Sequence, residues 1–326
     1  MGERRTPFTT ISLTIVAGLL TYGAMVWAWT DWGAVWASIG DLSLGVWIQV
    51  AAGAVLSFGL RFVRWHLLIA YLGHRLPWGT HLTIYLCAFA LALTPAKIGE
   101  TVRSFYLYPF GVSYPKSLSA FVAERIIDLL VVGALASLVV WIFKQHAVWL
   151  ITVWGTILIA VALFRSQLLT WLSKRWFKGP TEKHLATGSQ AIAQLLRGPI
   201  LFKTVPLTAM AWAAQGVGLS VVASALGHDL PILWAIAIYS LSLLAGAASF
   251  IPGGLGATEA AMVLLLMAAG QDLTTATSAA LVSRGVPLWL AMGLGTLSML
   301  RLSTVHPHQL GLSTADAKTG AHSTKP

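Results

Sequence analysis

The sequence predicts an all-α polytopic integral membrane protein, and three observations lead to that fold class. Hydrophobic residues make up 57% of the 326 positions, charged residues only 10%, and the mean hydropathy is +0.76. Soluble domains carry about 25% charged residues, so this chain lacks most of a water-facing surface. Several apolar runs reach the length of about 20 residues that spans a bilayer as a helix. The composition therefore excludes an ordinary cytosolic enzyme.

Six apolar segments are long enough to cross the membrane, and two more are interrupted by proline and glycine. The six full spans are predicted near residues 11–29, 44–69, 118–143, 147–164, 208–226 and 274–300. We expect the first of these to be a retained helix rather than a signal peptide, because its apolar core is too long and no small-residue cleavage motif follows. The interrupted segments cover residues 82–114 and 231–269, and we expect each to form a re-entrant helical hairpin.

The distribution of basic residues predicts the topology. Lysine and arginine number 21 against 11 acidic residues, giving a net charge of +10. We place the N-terminus (1–10) and a disordered tail (302–326) in the cytoplasm. The basic residues on the cytoplasmic side are then Arg4, Arg5, Arg75, Lys116, those of loop 165–203 and Arg301. Among the lysines and arginines of the loops, only Lys144 lies outside. This asymmetry follows the positive-inside rule. If both interrupted segments crossed the membrane fully, the termini would lie on the same side as before, but Lys97 and Arg103 would lie outside. The positive-inside rule therefore favours re-entrant hairpins. We expect the membrane to be a bacterial-type cytoplasmic membrane.

Loop 165–203 is the one extended polar region. It holds seven basic residues against the single acid Glu182, with tryptophan and phenylalanine interleaved. That pattern is typical of an amphipathic segment lying on an anionic leaflet, and a solvated basic loop explains it equally well. A nucleic-acid partner is not expected in a chain this apolar.

The two interrupted segments resemble each other and define an internal repeat. Pro95 and Gly99 are four positions apart, as are Pro252 and Gly256, and a buried arginine follows 30 or 32 residues after each proline. Repeat one covers about 78–164 and repeat two about 231–301. Three crossings separate them, so the repeats are inverted, as in many transporters with broken helices. At the second break Gly253 and Gly254 permit a tight turn, and we expect Thr258 to cap the helix that follows.

Eight charged residues lie in or beside apolar segments, where an unpaired charge costs at least about 2.5–3.5 kcal/mol. They are Lys97, Glu100, Arg103, Glu124, Arg125, Asp128, Glu259 and Arg284. Lys97, Glu100 and Arg103 share one helical face, and Arg125 can pair with Asp128 three positions on. Two interpretations stay open. The charges either form a structural ion-pair network or bind a lipid headgroup, with Arg125 and Arg284 as phosphate ligands. In the second case Glu100, Glu124 and Glu259 orient the arginines, contact a cationic headgroup or carry protons.

Signatures of other chemistry are missing from the sequence. It contains no phosphate-binding Gly-x4-Gly-Lys-[Ser/Thr] loop, no Gly-x-Ser-x-Gly and no His-Glu-x2-His. We therefore assign no catalytic residue and expect no cofactor and no metal. A single cysteine, Cys87, excludes an internal disulfide.

The motifs resemble a known family. Pro95-Ala-Lys-Ile-Gly-Glu100 with Arg103, Glu124-Arg125-x2-Asp128, Ile251-Pro-Gly-Gly-Leu-Gly-x2-Glu259 and Arg284 are similar to the flippase-like family, also called the lysylphosphatidylglycerol synthase transmembrane region. The resemblance implies one transmembrane domain over residues 11–301 that moves polar lipids between leaflets. It also implies a stand-alone member, without the aminoacyl-transferase domain that synthases of the family add.

These observations favour a membrane lipid flippase that moves a polar lipid, with its anionic headgroup held between the two broken hairpins. One alternative is a polytopic enzyme of lipid or glycolipid synthesis that uses Asp31 or Asp41 as a base. Another is a non-catalytic partner of a lipid-synthesis complex. The expected partners are membrane lipids, with a second copy of the chain or a lipid-synthesis protein left open.

Overall fold

The computed structural model describes residues 30–94, 99–141, 180–249 and 251–304, and within these ranges the chain is helical with no strand. The α-helices are α1 (Trp32–Gly40), α2 (Leu44–Tyr71), α3 (Trp78–Cys87), α4 (Val102–Leu107), α5 (Tyr114–Ala136), α6 (Pro180–Leu195), α7 (Gly198–Ala225), α8 (Ile232–Ala248), α9 (Ala257–Ala268) and α10 (Leu273–Thr304). Short 3-10 helices cover Ala88–Leu91, Tyr108–Phe110, Ser137–Trp141 and Pro252–Gly254. The predicted all-α membrane fold is confirmed.

Among the described residues, three helices are long and apolar enough to cross a membrane: α2, α7 and α10. Each has at least 28 residues, or about 42 Å at 1.5 Å per residue, against a hydrocarbon core of about 30 Å. Leu44 and Ile48 of α2 and Leu297 of α10 are more than half exposed, as lipid-facing side chains are. These helices confirm the predicted spans near 44–69, 208–226 and 274–300. The predicted spans 11–29 and 147–164 and the N-terminal segment 1–10 lie outside the described residues, as does most of the tail.

Helix α5 begins earlier than the sequence predicted. Ser113 is its N-cap and Pro115 lies in the first turn, where a proline without an N–H is tolerated. The predicted start at residue 118 placed Glu124 and Asp128 in the first turns of the helix, and this placement was wrong. Because the helix begins at Tyr114, both carboxylates lie in its middle, deep within the bundle.

Helices α3, α4 and α9 of the interrupted segments are too short to cross a membrane. Helix α3 has ten residues and continues for one 3-10 turn, and α4 has six. In the second repeat α9 has twelve residues, about 18 Å, and packs back against α8. An added Cβ on Gly246 of α8 would overlap the Thr258 hydroxyl of α9, so this hairpin requires glycine at the crossing.

Polar contacts show that each interrupted segment begins and ends on one side of the molecule. His74 precedes the first segment and Lys116 follows it, and the Lys116 Nζ lies 3.0 Å from His74 Nε2. His228 and Asp272 flank the second segment in the same way, with 3.6 Å between Nε2 and Oδ2. Helix α7 runs from the first of these ends to the second, so the segments enter the bundle from opposite ends.

The stretch after residue 187 joins the core at the His74 end. Ser119 of α5 donates a hydrogen bond to the Gly188 carbonyl oxygen at 2.9 Å. Four apolar side chains next to it are buried: Ala191, Ile192, Leu195 and Leu196. Most of the basic side chains of loop 165–203 lie outside the described residues, so its contact with an anionic leaflet stays a prediction.

Candidate functional site

The second break is a three-glycine turn that faces Arg284. Gly253, Gly254 and Gly256 have φ of +64°, +68° and +79°, which side-chain-bearing residues rarely adopt. Arg284 of α10 lies beside this turn. Its Nη2 is 3.4 Å from the Gly253 carbonyl oxygen, and its Nε is 3.4 Å from Glu259 Oε1. Arg284 therefore lies at the second break, and its role as a headgroup ligand stays a prediction.

Glu259 caps helix α9, and the expected cap by Thr258 was wrong. The N-cap residue is Gly256, whose N–H donates to Glu259 Oε2 at 2.7 Å, the contact that the N3 carboxylate supplies in a capping box. Thr258 is buried against Gly246 instead, since it lies inside the helix rather than before it. Glu259 thus bridges the start of a half-helix and the Arg284 guanidinium.

The acidic residues of the first repeat form a cluster with three arginines from three helices. Its members are Glu100, Glu124 and Asp128 with Arg64, Arg103 and Arg125, and we call them the charge cluster. Arg103 Nη2 lies 2.7 Å from Glu100 Oε2 and its Nη1 lies 3.3 Å from Glu124 Oε2. Arg125 Nη2 lies within 4 Å of all three carboxylates and is 3.2 Å from Asp128 Oδ2, the pair that the spacing predicted.

Arg64 is the member of the charge cluster that sequence reasoning missed. Its Nη1 lies 2.5 Å from Asp128 Oδ1 and its Nη2 lies 2.6 Å from Glu124 Oε1. The same Nη1 donates to the Thr208 hydroxyl at 2.9 Å, so one fully buried guanidinium joins α2, α5 and α7. The signal that pointed to it was an arginine within the apolar run of α2, where a charge requires a partner.

The members of the charge cluster differ in exposure. The side chains of Arg64 and Arg103 are 0% and 1% exposed, whereas the Arg125 side chain is 24% exposed. Arg103 is also stacked on aromatic rings, with its guanidinium carbon 4.2 Å from the Trp65 ring centroid and 4.9 Å from that of Tyr85. Arg64 and Arg103 are therefore locked in place. Arg125 is the most exposed arginine of the cluster, although its Nε and Nη2 are buried.

A hydrogen-bond chain connects α8 of the second repeat to α7 and α2. Tyr239 Oη donates to Gln215 Oε1 at 2.5 Å, and Gln215 Nε2 donates to Ser57 Oγ at 2.9 Å. All three side chains are buried, and Tyr239 also interacts electrostatically with Arg284 and Arg61. This chain connects the Arg284 side of the bundle to the face of α2 that carries Arg61 and Arg64.

The two breaks approach each other at their tips. A Cβ on Gly253 would lie 2.8 Å from Leu93 Cδ2, and Leu93 comes just before the first break. On the far side of that break Gly99 donates its N–H to the Thr94 hydroxyl at 2.7 Å. The predicted site residues Pro95 and Lys97 lie outside the described residues. Within the described ranges no three metal-ligating side chains converge on a metal site.

Comparison with known proteins matches these features to one family. The family described as the lysylphosphatidylglycerol synthase transmembrane region matches residues 11–295. The chain belongs to this family. That range includes both breaks, all of the charge cluster and Arg284.

Three curated proteins are similar to the whole or parts of this chain. Over 282 residues the chain is 24% identical to a UPF0104 membrane protein of Methanothermobacter thermautotrophicus, covering 77% of this chain and 82% of that protein. A shorter match to a UPF0104 membrane protein of the same organism, also 24% identical, covers 31% of this chain and 30% of that protein. The glycosyltransferase AglD of Haloferax volcanii is 30% identical over 139 residues, which cover 41% of this chain and 22% of AglD.

Proposed function

We propose that this family member transports a polar lipid with an anionic headgroup between the leaflets of the membrane. The observation that carries the proposal is the approach of the two broken segments, which enter from opposite ends and touch at Leu93 and Gly253. Inverted broken helices whose tips meet inside the bundle are the usual substrate site of secondary transporters. A polar lipid needs such a path for its headgroup, because its acyl chains can stay in the bilayer.

The exposure of the arginines supports Arg125 and Arg284 as headgroup ligands. Both keep part of their side chains accessible, 24% and 12%, although each already lies beside a carboxylate. In this proposal Glu100, Glu124 and Glu259 orient the two guanidiniums and hold them when no lipid is bound. A phosphate arriving at either arginine replaces a weak contact, since the Arg284–Glu259 distance of 3.4 Å is longer than a strong charge-assisted hydrogen bond.

Leaflet exchange in liposomes tests the proposal. Purified full-length protein is reconstituted into vesicles that contain fluorescent phosphatidylglycerol, and a membrane-impermeant quencher measures how much label becomes accessible with time. We expect wild-type protein to expose the inner-leaflet label and Arg284→Ala to expose little. The matched control is Arg301→Ala at the exposed end of α10, which leaves the rate unchanged. Equal rates for empty vesicles and wild-type vesicles across anionic, zwitterionic and neutral labels overturn the proposal.

The similarity to AglD supports a second candidate, a role beside or within glycolipid synthesis. If the protein is an enzyme of glycolipid synthesis, Asp31 or Asp41 is the candidate general base. Asp31 Oδ1 accepts a hydrogen bond from the Ala34 N–H at 3.1 Å and caps α1, which gives this carboxylate a structural task. An Asp31→Asn/Asp41→Asn variant that keeps full leaflet exchange favours transport, whereas loss of exchange in this variant alone favours the enzyme.

The orientation in the membrane is part of the proposal: both termini are cytoplasmic, so the His74 end faces the cytoplasm. The test uses a Cys87→Ser background, because the only thiol of the chain is the buried Cys87. Single cysteines replace Arg75 and Asp229, which lie in the loops at opposite ends. We expect an impermeant thiol reagent added to intact cells to label position 229 and to spare position 75. The reverse labelling pattern contradicts the orientation.

A further inference from the structure

The buried charges among the described residues do not balance. Within the helix bundle five arginines face four carboxylates. The arginines are Arg61, Arg64, Arg103, Arg125 and Arg284, and the carboxylates are Glu100, Glu124, Asp128 and Glu259. Four of the arginines lie within 4 Å of at least one of these carboxylates. Arg61 is the fifth, and no carboxylate in the described part of the chain lies within that distance.

Arg61 is buried without the partners that a guanidinium requires. The residue is 4% exposed, and its Nε and Nη2 have no hydrogen-bond partner among the described residues. Its guanidinium carbon lies 5.0 Å from the Trp212 ring centroid and 5.7 Å from that of Phe89. Aromatic faces stabilise a cation but accept no N–H hydrogen bond in the plane of the guanidinium. Two donor nitrogens therefore remain unsatisfied in a desolvated position, which is costly unless a ligand supplies acceptors.

Arg61 lies between the two halves of the candidate site. It is one turn from Ser57 and three positions from Arg64 on the buried face of α2. It interacts electrostatically with Asp128 of the charge cluster and with Tyr239 on the Arg284 side. Trp212, which stacks on Arg61, donates its indole N–H to Asp128 Oδ1 at 3.0 Å. The unsatisfied guanidinium thus lies on a route from one headgroup arginine to the other.

We infer that Arg61 binds a phosphate oxyanion through its unpaired guanidinium nitrogens at the centre of the bundle. The inference rests on the proposed function and specifies its substrate class as lipids that carry a phosphate group, in contrast to uncharged glycolipids. A guanidinium offers a planar fork of donors that matches two phosphate oxygens. One phosphate charge balances the fifth arginine. Arg125 and Arg284 flank this position, so the phosphate can pass from one arginine to the next.

Lipid binding by the purified full-length protein in detergent tests the inference without requiring transport. Three probes are titrated separately and followed by native mass spectrometry: phosphatidylglycerol, uncharged galactosyldiacylglycerol and inorganic phosphate. We expect Arg61→Gln to weaken phosphatidylglycerol binding at least about tenfold, the loss expected for one hydrogen bond to a charged group. Arg61→Lys keeps the positive charge but lacks the planar pair of donors of a guanidinium. Its affinity for phosphatidylglycerol is expected to lie between those of wild type and Arg61→Gln. Binding of the galactolipid does not change in either variant.

The matched control is Arg75→Gln, an exposed arginine in the loop after α2. It retains wild-type binding of phosphatidylglycerol. If millimolar inorganic phosphate displaces the lipid, the Arg61 site binds both free phosphate and the phosphate of a lipid headgroup. If it does not, the site binds only the phosphate of a lipid. Unchanged phosphatidylglycerol binding in Arg61→Gln overturns the inference, even if wild-type protein exchanges lipids. Lost binding in Arg61→Gln with no exchange by wild type overturns the proposed transport and leaves this site standing.

A stability measurement separates ligand binding from a structural role. If Arg61 serves only to pack between Phe89 and Trp212, Arg61→Met lowers the Tm and leaves lipid binding intact in the molecules that stay folded. If Arg61 is a binding residue, removing its unsatisfied charge leaves the Tm unchanged or raises it, while phosphatidylglycerol binding falls. A lower Tm with full binding overturns the inference.

Discussion

Leu93 fills the space over Gly253, so that a Cβ added to Gly253 would lie 2.8 Å from Leu93 Cδ2. The two residues are 160 positions apart and belong to different repeats. Gly253 also has φ of +64°, which an L side chain adopts at a cost of about 1–2 kcal/mol. Two independent physical reasons therefore require glycine where the two breaks meet.

We expect Gly253→Ala to destabilise the protein by about 2–4 kcal/mol, from backbone strain plus overpacking against Leu93. Thermal unfolding in detergent measures the change. Leu93→Ala in the Gly253→Ala background removes the overpacking and not the strain, so it recovers part of the stability. Gly59→Ala is the control, because Gly59 is an exposed helical glycine with no atom within 4 Å of an added Cβ. Wild-type stability of Gly253→Ala would mean that the two tips do not meet.

A second pair of glycines tests the packing of α10 against the first repeat. An added Cβ on Gly295 would overlap the backbone of Phe89 and Ala90, whereas a Cβ on Gly293 meets nothing within 4 Å. Because backbone cannot rotate away as a side chain can, we expect Gly295→Ala to be destabilised by about 1–3 kcal/mol or more. We expect Gly293→Ala, two positions away on the same helix, to keep the stability of wild type. Chemical unfolding of both variants decides this, and equal stabilities refute the close approach.

Local features of the fold and site could be predicted from the sequence, and distant pairings could not. The breaks at Gly99 and Gly256 and the pair Arg125–Asp128 follow from spacing along one segment, which fixes neighbours on a helix. Arg64 meets Glu124 and Asp128 across 60 and 64 positions of chain. That contact depends on which face of α2 turns toward α5, and no short-range pattern determines it.

Neutral polar residues were missed for a related reason. Gln215 and Tyr239 lie in apolar helices and belong to no motif, yet they connect the second repeat to α2 through Ser57. A buried glutamine in a membrane span indicates a partner, but the sequence does not identify which one. Thr258 was assigned as a cap because threonine often occupies that position, and the positive φ of Gly256 places the helix start two residues earlier.

The contact between His74 and Lys116 predicts a pH dependence at the proposed cytoplasmic end. Partial burial, with Lys116 as the second cause, lowers the pKa of His74 below its ordinary value of 6.5. The folded state therefore favours neutral His74, whose Nε2 accepts from the Lys116 ammonium at 3.0 Å. This stabilisation is complete above the unfolded-state pKa and is lost as the pH falls below about 6.5 through the folded pKa.

Comparison of His74→Gln with wild type isolates the effect, because the other histidines are the same in both proteins. We expect the Tm of wild type to fall more steeply than that of His74→Gln between about pH 6.5 and 5. Lys116→Met removes one of the two causes, so the decline of the Tm over this pH range becomes smaller than in wild type. Parallel Tm profiles for wild type and His74→Gln would show that this contact does not respond to pH.

Arg64 and Arg61 lie on the same buried face of α2, and their replacement by methionine has opposite consequences. Arg64→Met leaves Glu124 and Asp128 without their shortest contacts, at 2.6 and 2.5 Å. Breaking a buried ion pair from one side costs about 3–5 kcal/mol, so we expect Arg64→Met to unfold at a much lower temperature or to accumulate poorly. Arg61→Met removes no carboxylate partner in the described part of the chain and keeps or raises the Tm.

Charge balance explains the difference, and a double variant tests it. Arg64→Met with Asp128→Asn removes one charge of each sign and recovers part of the lost stability, because Glu124 keeps Arg103 and Arg125 within 4 Å. We expect Asp128→Asn alone to be less stable than the double variant, because it increases the excess positive charge of the bundle. If Arg64→Met and Arg61→Met are equally destabilising, pairing with carboxylates does not determine how much each arginine contributes to stability. Arg64 as a paired arginine and Arg61 as a ligand-binding arginine could then not be distinguished.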